Sequence, residues 1–204
     1  MAGRDSYHHG NLREALVQAT AILIAEVGPQ SFTLAEAARR AGVSAAAPYR
    51  HFTGRDDLLE EVARQGFEAF ADRLHTAFDD GKPNPLAAFL RTGQAYLDFA
   101  RESPGHYIAM FESGISITGN AALSRASDQA RGVIMAAASA LFAHLPADQR
   151  PPATMVANHV WALSHGVVEL FGRGKPGARA PYSPAEMLES GVLIYLRGLG
   201  LLPQ

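Results

Sequence analysis

An all-α architecture is predicted by three observations on the sequence. Apolar residues recur at helical spacing in one segment after another, residue pairs that cap helices bound those segments, and no stretch alternates as a half-buried strand would. Together they imply about nine helices: a three-helix domain over residues 1–55, then a larger helical bundle over 56–204.

The polar opening, Met1 to Gly10, carries Arg4, His8 and His9, which can either enter a DNA minor groove or fray without a role. Adjacent histidines seldom converge on one ion, and no third metal ligand accompanies them. Asn11 with Glu14 has capping-box spacing. Leu12, Leu16, Ala19, Leu23 and Val27 then form an apolar stripe that Gly28-Pro29 ends.

The next helix opens at Thr33, boxed with Glu36. It turns Leu34, Ala37, Ala38 and Ala41 to one side and Glu36, Arg39 and Arg40 to the other. Gly42 permits the turn that follows, Val43 plugs it, and Ser44 can cap a second helix to about His51. Two short helices around a glycine turn have the form of a helix-turn-helix, and such hairpins also occur in ordinary bundles.

In a helix-turn-helix the second helix is offered to a DNA major groove. Its reading face would be Ser44, Ala45, Ala46, Ala47 and Arg50, with Tyr49 and His51 donating to phosphates. The three alanines have no polar group for a base edge, only methyls for thymine or for close approach. Discrimination would rest on Ser44, Arg50, the N-terminal arm or DNA shape. Pro48 lacks the N–H that would make the first intrahelical bond, so this helix is expected to begin tight or late.

Phe52 and Leu58 are expected to close the core beneath. Gly54 with Asp57 starts a long helix to about Phe78, with Leu59, Val62, Phe67, Phe70 and Leu74 inward. Glu60, Glu61, Arg64, Glu68, Asp72 and Arg73 form its solvated side. The Gly/Pro-rich run from Asp79 to Pro85 is a loop in which Asn84 caps and Pro85 takes the first helical position. Ser103-Pro104 repeats that signal for a short helix to about Glu112. A loop from Gly114 to Asn120, an alanine-rich helix to about His144, and a helix from about Ala153 to Gly172 follow. Ser183, Pro184 and Glu186 open a last helix that is apolar on most sides and ends near Gly200.

Composition bounds the function. Hydrophobic residues make up 48% of the 204, enough for a packed core. Formal charge is 18 − 20 = −2, which argues against a protein that coats nucleic acid indiscriminately. Absence of cysteine excludes disulfides, thiolate metal sites and thiol nucleophiles. No membrane-spanning run and no signal-peptide pattern is apparent, which implies a cytoplasmic protein. No phosphate loop or Ser-His-Asp arrangement appears, and no cofactor is implied. His165 and Glu169, one turn apart, are the only candidate acid/base pair in helical register, so an enzyme is not expected.

The run from Thr33 to Ser44, followed by Tyr49-Arg-His-Phe52 and Arg55-Asp-Asp-Leu58, resembles the tetracycline-repressor (TetR) family of bacterial regulators over residues 8 to about 65. Trp161-Ala-Leu-Ser-His165-Gly166 resembles a Trp-x-x-x-His-Gly signature of one C-terminal subgroup. The resemblance implies an N-terminal DNA-binding domain, a helical ligand-binding and dimerisation domain, and repression relieved by a small molecule. By that resemblance Thr33, Tyr49, His51 and Arg55 match phosphate-contacting or turn-fixing positions, and Ser44 to Ala47 match groove-facing ones. The expected partners are double-stranded DNA with a palindromic operator, a small-molecule effector, and a second copy paired through the last two helices. Candidate effector contacts are Phe70, Phe89, Tyr96, Tyr107, Met110, Phe111 and Trp161, with His165 as a hydrogen-bonding group. Each is also a plausible plain core residue.

Overall fold

The computed structural model describes residues 9–172 and 181–202, and side chains from residue 12 onward. Eight α-helices are present among them: α1 (His9–Val27), α2 (Leu34–Arg40), α3 (Arg55–Phe78), α4 (Pro85–Glu102), α5 (Pro104–Phe111), α6 (Ala121–Leu141), α7 (Ala153–Val167) and α8 (Pro184–Gly198). No strand occurs among the described residues. The ninth expected helix, Ser44 to about His51, is replaced by a turn and a single 3₁₀ turn over Pro48–Arg50. The arm residues Arg4 and His8, and the side chain of His9, lie outside the described residues.

Capping explains most boundaries. Thr33 and Glu36 form a reciprocal box at α2, and Ser183 and Glu186 form another at α8. Asn84 Oδ1 accepts the Ala87 N–H at 2.9 Å to open α4. Asn120 does the same for α6, accepting from Ala122 and Leu123 at 2.9 and 3.2 Å. At α3, Asp57 reaches back to the Thr53 N–H at 2.8 Å. Ser103 makes no side-chain cap at α5, whose start rests on Pro104 alone. α1 already runs through Asn11, so that residue does not begin it. α7 widens into one π-helical turn, Val168–Gly172, instead of continuing as α-helix.

The chain divides into two compact units, Met1–Ala69 with Ser103–Ser127 and Phe70–Glu102 with Asp128–Gln204. In the first, α1 packs on α2 and most extensively on α5. Leu16, Ile24, Phe32, Leu58, Leu59, Phe67 and Tyr107 are fully buried there. Gly105 explains the tightness of the α1–α5 contact: a Cβ at that position would stand 1.8 Å from the Ala21 carbonyl oxygen. Val27, placed in the apolar stripe by its spacing, is half exposed, and Ile24 is buried instead. The stripe drifts around α1 because 3.6 residues per turn does not repeat on a four-residue step.

In the second unit α8 packs on α7 and α4, and α4 touches α7. Phe70, Leu74, Tyr96, Phe99 and Leu196 form its buried centre. Phe70 meets Tyr96 edge-on with ring centroids 5.1 Å apart, a favourable arrangement of ring quadrupoles. Ile194 of α8 is left 68% exposed, with Met155 of α7 and Leu170 also outward.

Candidate nucleic-acid interface

The segment after α2 is shaped by two devices. Gly42, at φ 72°, adopts the left-handed conformation that side chains resist. Its N–H donates to Arg39 O at 3.1 Å, and the Val43 N–H donates to Ala38 O at 2.9 Å, closing α2 as a Schellman motif. The second device is Pro48. In an α-helix the Ser44 carbonyl would accept from residue 48, and proline has no N–H to offer. That carbonyl accepts the Ala47 N–H at 3.0 Å instead, one residue early. The shortened step continues, with His51 N–H donating to Pro48 O at 2.9 Å. The regular helix expected over Ser44 to His51 is therefore absent for a chemical reason.

What this segment presents is polar and basic at its edges and smooth at its centre. Ser44, Ala45, Ala46 and Arg50 are exposed, and Tyr49 is 65% exposed. Ala47 and His51 are half-buried, and Pro48 is buried beneath them. Arg39, on the exposed end of α2, and Arg50 have no ion-pair partner among the described residues. An unpaired guanidinium at the surface is available to a phosphate. Arg39 was not singled out from the sequence as a contact, although its place opposite Leu34, Ala37 and Ala38 signalled exposure.

Other basic residues here are spent on holding the segment in place. Arg55 donates through Nε to Phe32 O at 3.2 Å and through Nη2 to Pro29 O and Gln30 Oε1. Its guanidinium lies 4.8 Å over the Phe32 ring. Of the two roles its family position implies, turn-fixing is the one these bonds perform. Thr33 is similar: its hydroxyl accepts the Glu36 N–H at 3.2 Å and donates to Glu36 Oε2 at 2.9 Å. Arg40 forms a two-pronged pair with Glu26 of α1, and Phe52 is buried below.

Glu61 of α3, expected on the solvated side, is only 6% exposed. Burial alone would raise its carboxyl pKa, but hydrogen bonds from Arg64 and Arg13 outweigh that and hold it down at about 2. Arg13 belongs to α1 and also lies 5.3 Å over the Phe52 ring. The cluster thus ties α1 to α3 beneath the exposed segment. Nearby in the same unit, burial pushes the His106 imidazole down against a smaller opposing pull from Glu14.

The eight effector candidates fall into two groups. Tyr107, Met110 and Phe111 belong to the first unit, where Tyr107 and Phe111 rings stand 4.9 Å apart. Phe70, Phe89, Tyr96, Trp161 and His165 belong to the second, where the Tyr96 hydroxyl and His165 Nδ1 are 3.2 Å apart. The space bordered by Phe89, Tyr96 and Trp161 is only about 20 Å³. No group of three or more His, Cys, Asp or Glu among the described residues can hold a metal ion. No helix among them is long and apolar enough to cross a membrane.

An exposed segment after a glycine turn in one helical unit, and cavities in a second all-helical unit, define a two-part all-helical class of protein. Residues 16–62 match the family described as bacterial regulatory proteins, tetR family, and residues 89–194 match the tetracyclin repressor-like C-terminal domain. The chain belongs to the TetR family.

Among curated relatives, the nucleoid occlusion factor SlmA of Vibrio cholerae is 34% identical over 96 residues, 47% of this chain and 48% of that protein. The HTH-type transcriptional regulator BetI 2 of Chromohalobacter salexigens is 38% identical over 82 residues, 38% of this chain and 40% of that one. The matched region is thus about half or less of each of these relatives. Among solved structures, a Rhodococcus sp. RHA1 protein of unknown function is 25% identical with a TM-score of 0.77, covering 96% of this chain and 98% of its own. AibR, solved in complex with isovaleryl coenzyme A and operator DNA, shares the fold at 16% identity and a TM-score of 0.68, over 89% of this chain and 96% of its own.

Proposed function

We propose that this TetR-family transcriptional regulator is a repressor that binds an inverted-repeat operator as a homodimer and leaves it when a small, mainly apolar ligand binds. The observation that carries the proposal is the exposed edge from Ser44 to His51, flanked by unpaired Arg39 and Arg50 and anchored by Arg55 and buried Pro48. Tyr49 and His51 are assigned to phosphates, Ser44 and Arg50 to base edges, and Ala45 to Ala47 to close approach. The family resemblance and AibR's operator complex support DNA as the partner.

One helix-turn-helix makes few base contacts, so pairing is needed, with reading segments about 34–36 Å or a multiple apart. α7 and α8, with Met155 and Ile194 outward, supply the proposed pairing face. In function the chain divides at 1–55 for DNA and 56–204 for ligand and pairing. α3, continuous from Arg55 to Phe78, would couple the two. A ligand acts only by favouring the spacing that the operator does not fit. The setting is cytoplasmic.

A mobility-shift titration against the region upstream of the protein's own coding sequence tests this. Sequence preference with affinity that falls steeply as salt rises supports it. No preference at any salt would remove it.

A further inference from the structure

A segment docked in a major groove tells bases apart by the side chains it exposes there. From Ser44 to His51 none of the residues is Asn, Gln, Asp or Glu. Adenine is read by paired bonds from an amide, and cytosine by a carboxylate that accepts from its amino group. Neither base has such a reader in this segment. Neighbouring side chains of those types are committed elsewhere. Gln30 donates to Ser113 O at 2.9 Å and accepts from Arg55 Nη2 at 3.3 Å. Glu36 closes the α2 cap with Thr33, and Glu26 holds Arg40.

What the segment does offer is narrow. Ala45 and Ala46 are exposed, whereas Ala47 is half-buried. Arg50 is exposed and has no hydrogen-bond or ion-pair partner for its guanidinium among the described residues. The Ala47 N–H to Ser44 O bond at 3.0 Å and the Arg50 N–H to Ala47 O bond at 3.2 Å hold these residues on one short, bonded piece of chain. The Ser44 hydroxyl can donate or accept, so it separates bases weakly. The base features that match this set are two. Thymine carries the one apolar mark of the major groove, its 5-methyl group, and guanine presents the N7 and O6 acceptors that a guanidinium bridges.

We propose that the operator half-site is read through thymine methyls packed on Ala45 and Ala46 and a guanine held by Arg50, with no direct reader for adenine or cytosine. The close approach that the small side chains allow is what brings the methyls into contact. This inference rests on the proposal that the Ser44–His51 edge docks in a major groove, and it names the bases taken there.

The experiment begins with selection by the full chain from a library of randomised duplexes, which supplies the preferred half-site. Anisotropy titrations then replace single thymines by deoxyuridine, which removes the methyl and keeps the pairing. At the contacted thymines each replacement should weaken binding about fourfold, the worth of one buried carbon. At those positions 5-methylcytosine should bind about fourfold more tightly than cytosine. The double variant Ala45→Gly/Ala46→Gly should lose the distinction between thymine and deoxyuridine. 7-Deazaguanine, which lacks N7, should weaken binding about fivefold, and Arg50→Lys should remove that sensitivity. Deoxyuridine tolerated at every position, a deoxyuridine loss of unchanged size in the double variant, or a selected half-site without thymine or guanine would overturn the assignment and leave operator binding standing. A library from which no sequence is enriched would overturn it together with the repressor proposal.

Discussion

The two compact units are built on opposite principles. The first is stitched by polar bonds and close backbone contact: the Arg13–Glu61–Arg64 cluster, the Arg55 staple and the close approach of Gly105 to the Ala21 backbone leave it little freedom to repack. The second is filled by apolar and aromatic side chains, and the cavity described above lies within it. Under the proposed function, a surface that presents a fixed geometry to DNA gains from over-determined bonds, and a domain that admits a ligand gains from space that repacking can close at modest cost. The contrast has a sequence basis: a buried acid, Glu61, held between two arginines in one part, and exposed pairs such as Arg101–Asp98 with glycine facing leucine across helices in the other.

The contrast predicts that single changes in the first unit act far more strongly than changes at the cavity. Glu61→Leu takes from Arg13 its carboxylate partner and leaves Arg64 paired with Glu68 alone; since both guanidiniums keep contact with solvent, it should cost about 1–3 kcal/mol in urea denaturation. A loss below about 1 kcal/mol would mean that the cluster is ornamental. Gly105→Ala should destabilise by about 2–3 kcal/mol through forced separation of α1 and α5, whereas Gly132→Ala, which meets nothing within 4 Å, should be neutral or slightly stabilising.

Acidification should show the same asymmetry. Glu61 has a folded pKa of about 2 against an ordinary 4.5, so its contribution is present above pH 4.5 and lost as pH falls towards 2. For a carboxylate this well covered, the loss amounts to about 3 kcal/mol. His106, held below its ordinary 6.5, adds a loss of the same sign that begins as pH drops through that value. Stability that stayed flat from pH 7 to 3 would contradict both. The Thr33→Ala change should cost about 1 kcal/mol as a lost cap. Tyr49→Phe should leave stability unchanged and weaken operator and non-operator DNA alike by about 1 kcal/mol. A loss confined to one sequence would show Tyr49 reading bases.

Where local chemistry decides a boundary, the sequence was enough. Thr33 with Glu36, Ser183 with Glu186, Asn84 before Pro85 and Gly42 after α2 all act as their residue types require. Pro48 was legible in part, since the missing N–H foretold a tight start but not that the whole helix would give way to one 3₁₀ turn. Long-range partners were not legible. Glu61 resembles any helical surface acid until Arg13, 48 positions earlier in the chain, is seen to cover it. The membership of α5 in the first unit depends on Gly105 meeting Ala21, a contact no periodicity encodes. Aromatic content likewise does not tell core from cavity: Phe70 and Tyr96 are both buried, yet only Tyr96 borders a void, and a second cavity is edged by Gly93 and Leu188, which are not aromatic.

Fluorescence-anisotropy titration of the purified chain onto its own upstream DNA, at low and at physiological salt, is the most direct trial of the groove-docking edge. Binding to one inverted repeat at two chains per site, preferred over scrambled DNA and weakened by salt in step with the phosphates contacted, is the expected result. Equal binding to scrambled DNA, or one chain per site, would show that Ser44 to His51 does not dock as half of a symmetric pair.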